Sequence, residues 1–181
     1  MEKTTPPTSS CGASLATPPL TESQCQVVNE ALNLLSTSPG ALLPVLHHIQ
    51  KTLRFVPPAA IPQIARTLNQ SEADVHGTMS FYHEFRNSPP GATVIQVCRA
   101  ESCQSMGSLA LEAYVRSRLG IDFHQTTRDN NFTLEPVYCL GNCMNSPSIR
   151  VEDEIHGDMN AARFDALVEG CLTQVIEVKA P

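Results

Sequence analysis

Apolar positions recur at helical spacing from Thr21 to Arg86, and the pattern changes character beyond residue 91. Val27, Val28, Ala31, Leu32 and Leu35 predict a first amphipathic helix, which Ser36-Thr37-Ser38-Pro39-Gly40 breaks. Leu42, Leu43, Leu46, Ile49, Gln50 and Leu53 mark a second. Phe55-Val56-Pro57-Pro58 predicts a turn, with one of the prolines at a helix start. Ile61, Ile64, Ala65 and Leu68 give a short third helix. Ser71 reads as the N-cap of a fourth, with Glu72 and Asp74 in its first turn. Residues 21–86 are therefore expected to form a small helical bundle.

Asn87-Ser88-Pro89-Pro90-Gly91 reads as a linker, residues 87–91. After it, Thr93 to Val97 predicts a strand running into Cys98. Gln104 to Leu119 predicts one helix, with Leu111, Tyr114, Val115 and Leu119 on a face and Gly120 ending it. Thr127 to Asn131 is a polar connection, and Phe132 to Tyr138 is an extended segment delivering Cys139. Ser148 to Val151 and Glu154 to His156 predict a hairpin around Glu152-Asp153. Asn160 to about Leu172 closes the chain as a helix with Phe164, Leu167, Val168 and Cys171 on one side. Strand, helix, strand, hairpin, helix over residues 92–181 suits a compact α/β domain of thioredoxin type.

The candidate chemistry lies in four of the seven cysteines. Cys98 and Cys103 stand in VCRAESC, Cys139 and Cys143 in YCLGNC, giving C-x4-C followed by C-x3-C. Each pair follows a predicted strand, so rigid strand ends can bring two loops to one point. Four thiolates at one point bind an iron–sulfur cluster or a structural zinc, and spacing alone leaves both open. A redox dithiol is disfavoured because no C-x-x-C is present, and a Cys–His nucleophile is weaker still. Gly141 lets the second loop turn tightly, and Arg99 and Glu101 add opposite charges beside the first pair. His47, His48, His76 and His83 lack paired ligand spacing and read as core or surface.

Composition changes this picture by exclusion. The 181 residues suit one domain or one with a small appendage, and 41% hydrophobic and 17% charged residues are ordinary for a globular chain. Lys+Arg of 12 against Asp+Glu of 18, a net charge of -6, leaves no basic patch and argues against nucleic acid. No apolar run approaches the roughly 18 residues that cross a bilayer, so no membrane contact is expected. Residues 1–20, rich in Pro, Thr and Ser, read as a disordered extension without an apolar signal segment or arginine, which makes the cytoplasm the expected location. In a reducing compartment paired cysteines read as metal ligands, and Cys11, Cys25 and Cys171 as thiols outside the site.

VCRAESCQSMG and VYCLGNCMNSPSIRV resemble the thioredoxin-like [2Fe–2S] subunit family. That family includes the small cluster subunit beside the flavoprotein of respiratory complex I, and matching subunits of NAD-linked hydrogenases and formate dehydrogenases. The resemblance extends upstream through ALLPVLHHIQKTLRFVPPAAIPQIARTLNQSEADVHGTMSFYHEFR, with Met79 to Phe85 matching a T-F-Y-x-x-F-type segment in which Ser80 departs from threonine. Downstream, DEIHGDMNAARFDALVEG resembles the family's closing hairpin and helix. Together these runs cover about Glu22 to Leu172.

The resemblance implies a helical bundle followed by a thioredoxin-like [2Fe–2S] ferredoxin domain. It implies Cys98, Cys103, Cys139 and Cys143 as cluster ligands, and so iron–sulfur over zinc. CRAESCQSMG looks most like the gamma subunit of the molybdenum- or tungsten-containing NAD-dependent formate dehydrogenase. This chain is then an electron-transfer subunit with no substrate site of its own. FMN and NAD are expected on a partner flavoprotein and molybdopterin on a large multi-cluster subunit, in keeping with the lack of G-x-G-x-x-G or a P-loop here. The same role in a bidirectional hydrogenase or complex I is the alternative host, and a zinc-stabilised interaction module the alternative class. His76, Tyr82 and His83 are assigned to packing and helix surface before a flavoprotein interface.

Overall fold

Capping and apolar periodicity set the first four helices. The structure, a computed structural model, describes residues 18–179. Most of the expected disordered extension, with Cys11, lies outside the described residues, while Leu20 packs against the first core. The chain divides into two units, residues 1–88 and 89–181.

Helix α1, Glu22–Leu35, opens on a reciprocal cap: Thr21 Oγ1 accepts from Gln24 N at 3.3 Å while Gln24 Oε1 accepts from Thr21 N at 3.0 Å. Helix α2, Leu42–Leu53, tolerates Pro44 because amides of the first turn have no intrahelical partner. Pro58 starts a 3-10 turn, Pro58–Ala60, that leads into α3, Ile61–Thr67. Helix α4, Glu72–Phe81, carries a second reciprocal cap between Ser71 and Asp74. Hydrogen bonds from the Ser71 side chain and backbone hold the Asp74 carboxyl below the usual carboxylate range. Val28, Leu46, Ile49, Ile64 and Val75 meet in the core of this unit. Gln50, which the sequence pattern places in the apolar stripe, instead clamps the chain after α4: its Nε2 donates to Glu84 O and its Oε1 accepts from Arg86 N.

The second unit is a five-stranded sheet in the order β2-β3-β1-β4-β5. Strand β1, Thr93–Cys98, is buried along its whole length, with Ile95 and Val97 in the core of this unit. It runs parallel to β3, Phe132–Val137, and antiparallel to β4, Ile149–Val151. Strand β5, Glu154–His156, forms the expected hairpin with β4. Strand β2, Gln125–Thr126, is an addition to the expected order, too short to show alternation.

The expected single helix over Gln104 to Leu119 is two: α5, Glu101–Ser105, and α6, Ser108–Leu119. They part at Gly107, whose φ of 96° no right-handed helix contains. The closing helix α7, Ala161–Lys179, runs beyond the expected end near Leu172, and Asn160 Oδ1 caps it by accepting from Arg163 N at 3.0 Å. Leu111, Val115, Phe164 and Val168 from the helices meet Ile95, Val97, Leu134 and Ile149 from the sheet in one core. No described helix is long and apolar enough to cross a membrane.

Candidate metal centre

Two neighbouring parallel strands place the cysteines. Cys98 ends β1 in register with Val137, the last residue of β3, and Cys139 follows two positions later. Arg99 N donates to Val137 O at 2.8 Å, so the ladder is carried past the strand end. The carboxyl ends of adjacent parallel strands open on the same edge of a sheet, where loops converge and ligands bind. Both cysteine loops leave from that edge.

In the first loop α5 turns Cys103 back toward Cys98, close enough for each thiol to shift the other's ionisation. In the second, Cys139 Sγ lies 3.9 Å from Cys143 Sγ, which opens a 3-10 turn, Cys143–Asn145. A tetrahedral metal bonded to two sulfurs at about 2.3 Å sets them about 3.8 Å apart, so this pair already has the spacing of one metal edge. Gly141, at φ 76°, donates its N–H to Cys139 Sγ at 3.3 Å.

Several contacts hold the loops together. The Leu140 amide lies near enough to the Cys98 sulfur to favour its ionised form. Ser102 Oγ donates to Cys143 O at 3.2 Å and lies 3.0 Å from Ser146 Oγ. Ser146 Oγ in turn lies 3.5 Å from Cys103 Sγ. Behind them, Cys98 N donates to Ser148 O, Asp158 N to Asn145 O and Met159 N to Pro147 O.

The pairs differ in environment. Cys98 and Cys103 are each 2% exposed, whereas Cys139 and Cys143 are at the surface. Burial pushes the Cys98 thiol up, against the Ala100 and Leu140 amides. Burial also opposes ionisation of Cys103, yet hydrogen bonds from the Ser146 hydroxyl, the Cys98 thiol and the Ser148 amide bring it below the ordinary thiol range. Cys143 is raised by the hydrogen bond and charge of Cys139, and also by the charge of Cys103 in the other loop. Among the described residues no three His, Cys, Asp or Glu side chains close on a single ion. The thiols stand as two pairs, a set that can give each metal of a two-iron cluster one pair of sulfurs.

Arg99 pairs with Glu112 on α6. Its Nε lies 2.9 Å from Glu112 Oε2 and its guanidinium sits 5.3 Å from the Phe123 ring centroid, which anchors it to α6. Cys25 lies in α1, and Cys171 packs at the edge of the second core, where burial raises its thiol. His76, Tyr82 and His83 are exposed around the end of α4, with Tyr82 edge-on to Phe81 at 5.0 Å. The His47 and Phe85 rings meet at 4.9 Å, tilted by 51°. The supporting serines Ser102, Ser146 and Ser148 carried no motif that would single them out in the sequence.

A family model described as thioredoxin-like [2Fe–2S] ferredoxin matches residues 28–172. The chain is 33% identical over 150 residues to the E subunit of NADH-quinone oxidoreductase from Pseudomonas aeruginosa, covering 83% of this chain and 90% of that relative. It is 34% identical over 132 residues to NADH-quinone oxidoreductase subunit 2 of Thermus thermophilus, covering 72% and 73%. A solved structure, an NAD+-reducing [NiFe]-hydrogenase in the air-oxidised state, superposes with a TM-score of 0.64 at 25% identity. That alignment covers 81% of this chain but 25% of the hydrogenase chain, of which this protein spans about a quarter.

Proposed function

Because this chain belongs to the thioredoxin-like [2Fe–2S] ferredoxin family, we propose that Cys98, Cys103, Cys139 and Cys143 are the four ligands of its cluster. The chain is an electron-transfer subunit of the NADH-dehydrogenase type of module. The observation that supports the ligand set is the pair of thiol pairs at the shared edge of β1 and β3, with the 3.9 Å separation of Cys139 and Cys143. A [2Fe–2S] group accepts and returns one electron at a time. The protein's part is to bury one thiol pair and leave the other at the surface. Tyr138 and Met144, 67% and 95% exposed, flank that open side and form the face offered to a flavin-bearing partner.

The host we propose is an NAD-dependent formate dehydrogenase in the cytoplasm, with FMN and NAD on the flavoprotein and molybdopterin on a large subunit. The run CRAESCQSMG supports this choice. The hydrogenase and quinone-reductase relatives make those complexes the alternative hosts.

Anaerobically purified protein is expected to be red-brown, to contain iron and acid-labile sulfide, and to give a rhombic paramagnetic resonance signal on reduction. Cys139→Ser is expected to lose that signal and most of the iron, while Cys171→Ser keeps both. Colourless protein with one zinc per chain rejects the electron-transfer reading. Affinity purification from the native cell separates the hosts: a molybdopterin-bearing large subunit supports formate dehydrogenase, and a nickel-bearing one overturns it.

A further inference from the structure

Ser146 is 6% exposed; its Oγ donates to Cys143 O at 2.9 Å, lies 3.0 Å from Ser102 Oγ and accepts from the Cys103 thiol at 3.5 Å. Ser102 Oγ also reaches Cys143 O, at 3.2 Å. Two hydroxyl hydrogens thus face three acceptors: the carbonyl, the sulfur and the neighbouring hydroxyl oxygen. A cysteine bound to metal has no proton, so Cys103 Sγ can then only accept. Ser102 also donates to the Cys143 carbonyl, so the Ser146 hydrogen can turn from that carbonyl to the sulfur once the thiol proton is gone. We propose that Ser146 is a positioning residue that raises the reduction potential of the centre by donating its hydroxyl hydrogen to the Cys103 sulfur. The inference rests on the ligand assignment above.

The physical reason is charge. Taking up an electron leaves the sulfurs more negative, so a donor aimed at one of them is stronger in the reduced form than in the oxidised one. Cys103, at 2% exposure, and Ser146 lie out of reach of bulk water, which would otherwise replace a lost donor. Ser102 sets which acceptor Ser146 serves: without it, Ser146 must satisfy the Cys143 carbonyl, and its bond to sulfur weakens.

The test is a redox titration of the purified full chain, read by paramagnetic resonance, after iron and acid-labile sulfide have been measured in every variant. Ser146→Ala is expected to lower the reduction equilibrium constant about tenfold, a shift of about 59 mV for a one-electron couple. Ser146→Thr keeps the hydroxyl and is expected to restore the wild-type value. Ser102→Ala is expected to shift in the same direction by less. A fully loaded Ser146→Ala protein with the wild-type potential overturns the proposal. Should Ser146→Ala fail to retain iron, Ser102→Ala decides: a downward shift upholds the proposal, and an unchanged potential overturns it. Wild-type protein lacking both iron and sulfide would instead reject the ligand assignment.

Discussion

Gly157 lies where the hairpin passes behind the second cysteine loop. A Cβ there would stand 2.5 Å from Asn145 Cβ and 2.7 Å from both Asn142 Nδ2 and Asn145 O. Two of those atoms are Cβ and backbone and cannot swing away, so the 142–146 segment itself must move. Gly157→Ala is expected to cost about 1–3 kcal/mol of stability, measured by denaturant unfolding, and to lower iron content per folded chain. The cysteines could be read from the sequence because ligand spacing within each loop is local. Gly157, Ser102 and Ser146 could not, because their partners lie in other segments: Ser102 meets Ser146 across 44 positions.

Between elements, α6 and α7 are joined by polar as well as apolar contacts. Tyr114 Oη donates to Asp165 Oδ2 at 2.6 Å, Arg118 Nε donates to Asp165 Oδ1 at 3.0 Å, and the Tyr114 and Phe164 rings meet edge-on at 6.4 Å. The hydrogen bond to Asp165, helped by burial and by its charge, raises the Tyr114 hydroxyl above the ordinary tyrosine range. A raised acid of this kind stabilises the fold fully below its unfolded value and loses that contribution as pH climbs through the folded one. Stability is therefore expected to fall as alkaline pH passes through the tyrosine range. Tyr114→Phe should be less stable than wild type near neutrality and should lose this part of the alkaline fall, both visible in thermal melts over pH. Helix positions were legible where apolar periodicity was strong, as in α2 and α7. The break between α5 and α6 was not, because the helical pattern of residues 108–119 extends plausibly backward across Gly107.

At the scale of the molecule, each unit has its own buried cluster, and no residue is shared between them. Ile49 is fully buried in the first, Phe164 in the second. Ile49→Ala is expected to destabilise the helical unit by about 2–5 kcal/mol, measured by denaturant unfolding, with the iron content of folded protein unchanged. Phe164→Ala, by about 3–5 kcal/mol, is expected to lower iron retention as well, because Phe164 packs in the core that includes β1 and the strand beside it. By itself the sequence determined the first four helices, strands β1, β3, β4 and β5, the two cysteine spacings and the family they resemble, since capping, periodicity and ligand spacing act over a few neighbouring positions. The tertiary structure alone decided that β1 and β3 lie side by side, that one thiol pair is buried and the other open, and that a serine reaches a cysteine sulfur. Those are consequences of strand order and packing, which join residues the chain keeps far apart.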